Sequence, residues 1–454
     1  DRRDRASTID LATPNPGAGN LPGAMIFAGS GSGRTGRRSF VDADLSGYGP
    51  RVGLAYQLTP KTVVRSGYGI YYSNNYLELS NAGFNITGSF QSLDNGVTPA
   101  FRLRDGFPQN FRQEPAIDPT FLNRNAGSYV EQSAAAMPRT QNWSFSIQRE
   151  FSSNVQFEAV YIGTRGTRLI SPQLVRINQV ETKHLALGSL LTRNITSAEA
   201  RAAGIPLPFP GFTGTVAQAL RPFPQYLDLS ATQAKAGNSK YHAMTLRLQK
   251  RFAGGFALEG HYTLSKALGY ASYAASTVDV LGQDNYNRKL EHSILATDLP
   301  HAFALNFNYD VPIGPGKRYW NRRGAAGVLL GGWAFSGILR YQSGFPIPIS
   351  MNNTLGIFSQ RLRPDVVTGQ TLATGISTGD FDPAVDRRVN LSAFAAPAPF
   401  RIGTAPPTSQ ELRTYPVLNE DFALTKETRL TERVQWETYG QFFNIFNRPR
   451  FHTF

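Results

Sequence analysis

The sequence predicts an all-β fold, a transmembrane antiparallel β-barrel portion of about ten strands, and two observations predict it. Apolar and polar residues alternate along stretches of about ten residues, the length that a tilted strand needs to cross a bilayer. Tight turns and long polar loops separate these stretches in strict alternation. A membrane barrel shows this asymmetry, with brief turns at one rim and long loops at the other.

The first hairpin illustrates the pattern. Every second residue from Val52 to Leu58 is apolar, and the residues between them, beginning with Arg51, are polar or small. Residues 59–61 turn the chain, and residues 64–70 return with the same alternation. Such a pair of amphipathic strands around a short turn is typical of a β-hairpin.

Four more hairpins are predicted along the chain. They cover residues 142–161, 244–265, 303–342 and 422–442, with turns near 152–154, 253–255, 314–331 and 430–432. The long connections run from 73 to 139, 165 to 239, 266 to 299 and 344 to 416. We expect the short turns to be periplasmic and the long loops to be extracellular.

The composition suits a surface that meets lipid. Aromatic residues make up 12% of the chain and charged residues only 17%, against about 25% in ordinary soluble domains. The mean hydropathy is -0.29, and no run of roughly 20 apolar residues exists for a helical span. The closest, residues 324–339, contains several glycines and alternates in its second half. The chain has no cysteine, which excludes disulfide and thiolate chemistry.

The two faces of the predicted strands carry different candidate residues. The polar faces hold charged residues that we expect to face a lumen, as cross-strand ion pairs or as part of a substrate path: Arg65, Glu158, Arg247, Glu259, Arg340 and Glu437. The apolar faces carry aromatic residues that we expect at the membrane interfaces: Tyr56, Tyr68, Trp143, Tyr161, Trp333, Tyr341 and Trp436. Tyrosines in the loops offer stacking surfaces suited to sugars: Tyr71, Tyr72, Tyr76, Tyr226, Tyr270 and Tyr273.

Several chemical motifs are weak here. The net charge of +14 comes from scattered basic residues without a recognition helix, so no nucleic-acid partner is expected. Residues 31–36 satisfy the G-x-G-x-x-G spacing without a strand-turn-helix context, which favours a flexible loop. The six histidines lack metal-ligand spacing, and the acidic and amide residues at 279–287 favour a solvated loop over a calcium site. We expect no catalytic residue, cofactor or metal.

The order of several short runs resembles that of the Oar-like TonB-dependent receptors of acidobacteria and related phyla. The runs are GPRVGLAYQLTPKT at 49–62, RSGYGIYY at 65–72, QNWS at 141–144, YTLSKA at 262–267, YQSGFP at 341–346 and FFNIFNRP at 442–449. The resemblance implies a barrel of twenty-two strands around a plug domain, often with an immunoglobulin-like domain ahead of the plug. It assigns residues 49–454 to the later barrel and residues 1–48 to an extracellular loop that contains, at most, the end of a preceding strand. The plug domain and the final strand are not expected in this chain.

The resemblance also implies a function. We expect a receptor in the bacterial outer membrane that takes up a glycan, peptide or metal chelate, surrounded by lipid and lipopolysaccharide and energised by a TonB-type protein through the plug. An alternative from a different class is a surface adhesion or scaffold protein that uses the barrel as an anchor. A soluble β-rich binding module is a third reading.

Overall fold

Ten long strands form one antiparallel sheet in the computed structural model, which describes residues 4–73, 79–85, 90–92, 94, 96–106, 108, 115–171, 175–270, 282–321, 324–352, 355, 357–358 and 362–451. The strands are β1 (Arg51–Thr59), β2 (Thr62–Tyr72), β3 (Arg139–Ser152), β4 (Val155–Leu169), β5 (Gly237–Ala253), β6 (Phe256–Gly269), β7 (His301–Asp310), β8 (Trp333–Gln342), β9 (Val417–Arg429) and β10 (Gln435–Phe442). Each strand pairs with its neighbour in sequence. The predicted fold class and its hairpins are confirmed.

Short turns join the strands at one rim, which we call the inner rim. The β5–β6 turn consists of Gly254 and Gly255, whose φ angles of 64° and 79° match a two-residue turn with two left-handed positions. The longest inner connection, residues 311–332, contains the helix α3 (Ala325–Leu330). None of the helices in the described ranges combines the length and the hydropathy that a membrane-spanning helix requires.

The other rim, which we call the outer rim, carries the four long connections. They contain further short strands: Ser293–Ile294 pairs with β6, Pro346–Pro348 pairs with Thr408–Arg413, and Asp365–Val366 pairs with Phe394–Ala395. They also contain the helices α1 (Ala198–Ala202) and α2 (Val216–Ala219), and 3-10 helices at Leu103–Asp105, Gln132–Ala135, Thr182–Thr192, Arg288–Glu291 and Leu391–Ala393. A further 3-10 helix, Pro16–Ala18, lies in the N-terminal segment ahead of β1.

The register of the sheet gives it one apolar face and one polar face. A single row across nine strands of the apolar face reads Tyr56, Val64, Ile147, Ala159, Leu246, Tyr262, Phe303, Tyr341 and Leu418. Many large side chains of this face are exposed, among them Leu54 at 63%, Met244 at 48% and Leu264 at 49%. A protein in water would cover such a face, so its exposure agrees with a lipid environment.

The hydrophobic cores lie outside the ten long strands. All three clusters of buried apolar residues among the described residues belong to the N-terminal segment and the outer connections. One carboxylate, that of Glu420, lies on the apolar face, where an unpaired charge would be costly. It is 1% exposed, and the single N–H of Arg448 Nε is shared between its two oxygens, at 2.9 and 3.0 Å.

Candidate substrate path and external cap

The polar face of the sheet is the first candidate site. The row next to the apolar one reads Gln57, Val63, Gln148, Glu158, Arg247, His261, Ala304, Arg340 and Asn419. All six residues predicted to face a lumen lie on this polar face, and three of them share this row. Their role in lining a channel stays a prediction.

One predicted ion pair forms between these six residues in the described part of the chain. Arg247 Nη2 lies 2.5 Å from Glu259 Oε1 on the neighbouring strand, and His261 Nε2 lies 3.2 Å from the same oxygen. Arg65 Nη1 instead donates to Gln148 Oε1 at 2.5 Å. The polar face is therefore braced by a mixture of charged and amide contacts.

Two of the other three charged residues contact a neighbour outside the set or face a like charge, and the third, Glu158, stands directly opposite Arg247. Arg340 Nη2 donates to Gln342 Oε1 at 3.3 Å. Glu437 stands directly opposite Glu427, which accepts a hydrogen bond from Gln435 at 2.8 Å. Like charges in direct cross-strand register repel each other.

A cavity of about 480 Å³ opens on the polar face between β5 and β10. Its polar lining is Gln249, Lys250, Arg251, Glu259, Asn306, Asn308, Ser336, Asp421 and Gln441. Amides, hydroxyls and charges of both signs can hydrogen-bond to many polar groups without selecting one charge. In the described residues no group of three or more His, Cys, Asp or Glu side chains could hold a metal ion.

The predicted interface aromatics all project from the apolar face. Tyr56, Tyr68, Tyr161 and Trp436 are exposed, between 38% and 61%. Trp333 begins β8 and Trp436 lies second in β10, both at the inner rim. Tyr68 and Trp143 are cross-strand partners nearer the outer rim. Their arrangement into two interface girdles stays a prediction.

The described residues of the N-terminal segment and the outer connections fold together into what we call the external cap, which comprises the described residues within 4–48, 73–138, 170–236, 270–300 and 343–416. Its four-stranded sheet combines the hairpin Ser7–Asn15 and Leu21–Phe27 with Ala126–Tyr129 and Asp228–Ala231. Apolar residues of all these segments share one core. Whether the domain boundary lies at residue 48 stays a prediction, but residues 7–27 are a paired hairpin of the cap.

Tyr226 lies in that core, so the prediction that its ring offers a stacking surface is wrong. It is 0% exposed, and its hydroxyl donates to the Gly23 carbonyl at 2.9 Å. Burial raises the pKa of Tyr226 to about 12. Its neighbour Gln225 donates to the Pro22 carbonyl at 2.7 Å. The two side chains hold the N-terminal hairpin against the β4–β5 connection.

The other loop tyrosines differ in their surroundings. Tyr71 is 40% exposed at the outer end of β2, and the guanidinium carbon of Arg51 lies 4.7 Å from its ring centroid. Tyr72 is half-buried, and Tyr270 packs edge-on against His292 at 5.0 Å. The predicted residues Tyr76 and Tyr273 lie outside the described residues. Tyr71 is therefore the best exposed stacking ring of the described set.

The β4–β5 and β6–β7 connections are joined by buried amides and acids. Asp284, predicted in a solvated loop, is 5% exposed and accepts from Gln179 Nε2 at 3.2 Å, so that prediction is wrong for Asp284. The Gln179 side chain also accepts from the Asn285 amide at 2.9 Å. These contacts fix Asp284 against the β4–β5 connection, since its buried carboxylate finds a hydrogen-bond donor there. Asp279 of the same predicted cluster lies outside the described residues.

Two buried ion pairs join the β6–β7 connection to the β8–β9 connection. Arg363 and Glu291 have side chains 4% and 1% exposed, and the guanidinium donates to both carboxylate oxygens, at 2.7 and 3.1 Å. Arg413 Nη2 donates to Asp298 Oδ2 at 2.5 Å. Because the partners are far apart in the sequence, no local sequence pattern predicts that they pair. Neither pair was predicted from the sequence.

A second cavity of about 570 Å³ lies between the β8–β9 connection and Phe451, which follows β10. Phe381, Phe394, Arg387 and Arg388 are among its lining residues, and the Arg388 guanidinium carbon lies 4.6 Å from the Tyr415 ring centroid. Aromatic rings and guanidinium groups can hold a ligand by stacking and by charge-assisted hydrogen bonds. This cavity is the candidate binding site of the external cap.

The glycine-rich motif at 31–36 contributes no phosphate site in the described structure. It follows the second strand of the hairpin as a turn, where the Thr35 amide donates to the Phe27 carbonyl at 2.9 Å. Arg34 Nη1 donates to the carbonyls of Asp4 and Ala28, at 2.7 and 2.6 Å. The motif therefore forms a turn that contacts the N-terminal hairpin of the cap.

His452, one of the six histidines, lies outside the described residues.

Comparison with known proteins identifies the class. The model of the outer membrane beta barrel domain matches residues 1–453. The chain therefore belongs to the outer membrane beta barrel domain family, and its location is the bacterial outer membrane. No curated protein matches the chain.

Solved structures resemble the chain at low similarity. They include the outer membrane transporter YddB from Escherichia coli (9% identity, TM-score 0.36, covering 85% of this chain and 35% of that structure). The FrpB iron transporter from Neisseria meningitidis is 8% identical with a TM-score of 0.34, and the match covers 88% of this chain and 35% of that structure. The ferric yersiniabactin uptake receptor FyuA from Yersinia pestis is 10% identical with a TM-score of 0.34, and the match covers 88% of this chain and 32% of that structure. The chain spans about a third of the length of these structures.

Proposed function

We propose that the chain is the membrane-spanning part of an Oar-like TonB-dependent receptor that takes up a nutrient across the outer membrane. The observation that carries the proposal is the continuous polar face, where Arg247 and His261 both contact Glu259. Glu259 itself lies between the amides of Gln249 and Asn306 on the neighbouring strands. A barrel that served only as a membrane plug could fill this face with apolar side chains. Mixed polar groups suit an aqueous path.

The nutrient is a glycan, a peptide or a metal chelate. It first meets the outer rim, where the cap cavity with Arg387 and Arg388 and the ring of Tyr71 at the outer end of β2 supply stacking and hydrogen-bonding groups. It then passes along the polar face, whose 480 Å³ cavity accepts polar groups of either charge. A TonB-type protein supplies energy through a plug domain. The role is not catalytic and needs no cofactor of its own.

Uptake by a deletion strain tests this proposal. Cells with the full-length protein should accumulate one labelled nutrient class from a panel of oligosaccharides, peptides and ferric chelates, and a protonophore should abolish that accumulation. The variant Arg247→Gln with Glu259→Gln should reduce uptake several-fold, whereas Lys61→Gln at the inner turn should not. Equal accumulation with and without the gene, for every class, would contradict the proposal.

Adhesion is a second candidate, because the external cap is more than a set of loops. It has its own cores, a four-stranded sheet and two buried ion pairs. A rigid platform of this kind also suits attachment to another surface. The variant Arg363→Met removes one partner of a buried ion pair and should destabilise the cap. If adhesion is the main role, this variant should reduce cell attachment and leave the rate of protonophore-sensitive uptake unchanged. The opposite result would favour transport.

A further inference from the structure

The cap cavity presents mainly apolar side chains to a solute. Its lining includes Ile347, Ile349, Phe381, Val389, Leu391 and Phe394. Leu391 is 63% exposed. A solute in this cavity would cover apolar surface that water otherwise contacts, and the removal of such surface from water favours binding of an apolar group.

The charged groups of the cap cavity add one net positive charge to this apolar lining. Arg387 and Arg388 line it together with Asp386. Arg388 is engaged within the cap, because its Nε donates to the Arg413 carbonyl at 3.0 Å. Arg387 is exposed, and within the described residues it forms no ion pair with an acid. The Arg387 guanidinium is therefore free to bind an anionic group, and the two oxygens of a carboxylate match its paired donors.

The cavity on the polar face of the sheet also has an apolar part. Ile338 and Phe443 line it. Ile338 lies on the polar face in register with Asn306 and Asp421. Ile338 is 58% exposed and Phe443 is 74% exposed. On a face that meets water, apolar surface of this size favours a solute that covers it.

Amide side chains lie beside this apolar part. The amides that line the same cavity are Gln249, Asn306, Asn308 and Gln441. An amide side chain has two N–H donors and one accepting oxygen, so it can pair with both the N–H and the carbonyl of a peptide bond. Amides next to exposed apolar side chains therefore complement a peptide that has apolar residues.

A glycan fits the cap cavity less well. Hydroxyl groups cover most of a sugar, and a hydroxyl that is buried against apolar side chains loses its hydrogen bonds to water without replacement. The polar side chains of the described lining are Ser350, Asp386, Arg387 and Arg388. These four side chains are too few to bond to a sugar on all of its sides.

We propose that the nutrient is an oligopeptide with apolar side chains and a free carboxyl end, an inference that rests on the proposed uptake function. Arg387 binds the terminal carboxylate, and the apolar lining of the cap cavity covers the last side chain of the peptide. On the polar face of the sheet, Ile338 and Phe443 contact apolar side chains of the peptide, while the amides bond to its backbone.

Competition binding to the full-length protein in detergent, measured by fluorescence anisotropy, tests the substrate class. The labelled probe is a peptide rich in leucine and phenylalanine with a free carboxyl end. The unlabelled competitors are the same peptide acid, its carboxamide, a serine-rich peptide acid, a malto-oligosaccharide and ferric citrate. We expect the apolar peptide acid to bind at least about tenfold more tightly than its carboxamide, since a charge-assisted hydrogen bond is about twice as strong as a neutral one. It should exceed the serine-rich acid by at least about tenfold, since the burial of a single large apolar side chain favours binding by that factor.

Variants locate these preferences in the cap cavity. Arg387→Gln should bring the affinity for the peptide acid down to that for the carboxamide. Leu391→Ser should weaken binding of the apolar peptide at least about threefold, since part of its apolar contact is lost. The matched variants Arg193→Gln and Leu207→Ser change exposed cap residues that do not line the cavity, and both should keep the two preferences.

Accumulation in cells distinguishes a wrong substrate class from a wrong function. Binding of the apolar peptide acid with both preferences, but without protonophore-sensitive accumulation, would contradict uptake and leave the binding site assigned. Protonophore-sensitive accumulation of the oligosaccharide or of ferric citrate, without binding of the peptide, would overturn the inference and leave uptake in place. Equal affinity for the acid and the carboxamide, equal affinity for the apolar and the serine-rich peptide, or unchanged preferences in Arg387→Gln and Leu391→Ser would also overturn it.

Discussion

The buried ion pair of Arg363 and Glu291 stabilises the external cap, so its removal should destabilise the cap locally. Replacing Arg363 by Met leaves the Glu291 carboxylate, 1% exposed in its side chain, without a counter-charge. It also removes the donors to the carbonyls of Ala405, at 2.7 Å, and Leu290, at 3.3 Å. Removing one partner of a buried ion pair destabilises a fold by about 3–5 kcal/mol. The cost falls on the cap, because both residues belong to it.

Hydrogen exchange measures this cost locally. The amide of Gln283 donates to Glu291 Oε1 at 2.9 Å, and the amide of Arg363 donates to Gln283 Oε1 at 2.7 Å. Because about 1.4 kcal/mol corresponds to a factor of ten, peptides that contain these amides should exchange at least about 100-fold faster in Arg363→Met. Peptides from β3 should keep their protection, since the partners of β3 are the long strands β2 and β4.

Two further variants separate the charge from the packing. Arg37→Met breaks an ion pair whose side chains are 61% and 81% exposed, and it should change exchange no more than about fivefold. The double variant Arg363→Met with Glu291→Leu removes both buried charges and should be more protected than Arg363→Met alone. Unchanged exchange at Gln283 in Arg363→Met would refute the reasoning, because it would mean that the pair does not hold the two connections together.

The remaining predictions concern the sheet and the cap. Leu246→Arg, on the apolar face, should lower the free energy of unfolding in lipid by about 2–4 kcal/mol, and Thr245→Arg on the polar face by clearly less, as urea titration in liposomes would show. Burial lowers the pKa of Lys235 to about 8, so a small acylating reagent should modify it with a midpoint near that pH, and only near its ordinary pKa after denaturation. A Cβ at Gly344 would lie 1.8 Å from the Thr414 carbonyl oxygen, so Gly344→Ala should speed proteolysis of the β8–β9 connection; unchanged cleavage would contradict that contact.

The long strands could be predicted because each carries its own signal. Alternation along Val52 to Leu58 gives both the strand and its two faces, and the turn at Gly254 and Gly255 fixes the register of the hairpin around it. The strands differ from the prediction in length. Strand β5 has 17 residues, whereas the predicted strands had about ten, the length that a tilted strand needs to cross the hydrocarbon layer. Its outer part continues into the cap, where polar residues such as Asn238 and Ser239 mask the apolar period.

The cap could not be predicted because its order comes from contacts between distant segments. Asp284 and Gln179 are 105 residues apart, and neither has a neighbour that suggests burial. Tyr226 looks like a surface aromatic in a proline-rich stretch until the N-terminal hairpin covers it. Polar loops have no regular alternation of polar and apolar residues, so the sequence does not show which segments they contact. The candidate cavity of the cap, with Arg387 and Arg388, was missed for the same reason.

Cysteine scanning along β5 tests the assignment of the two faces most directly, and the chain has no cysteine of its own to interfere. Single cysteines at Leu246, Arg247, Leu248 and Gln249 would carry a nitroxide label in the full-length protein in liposomes. We expect labels at 246 and 248 to collide with oxygen dissolved in the acyl chains, and labels at 247 and 249 to collide with a water-soluble nickel complex. Equal accessibility at neighbouring positions, or the reverse alternation, would contradict an apolar face in lipid and a polar face around water.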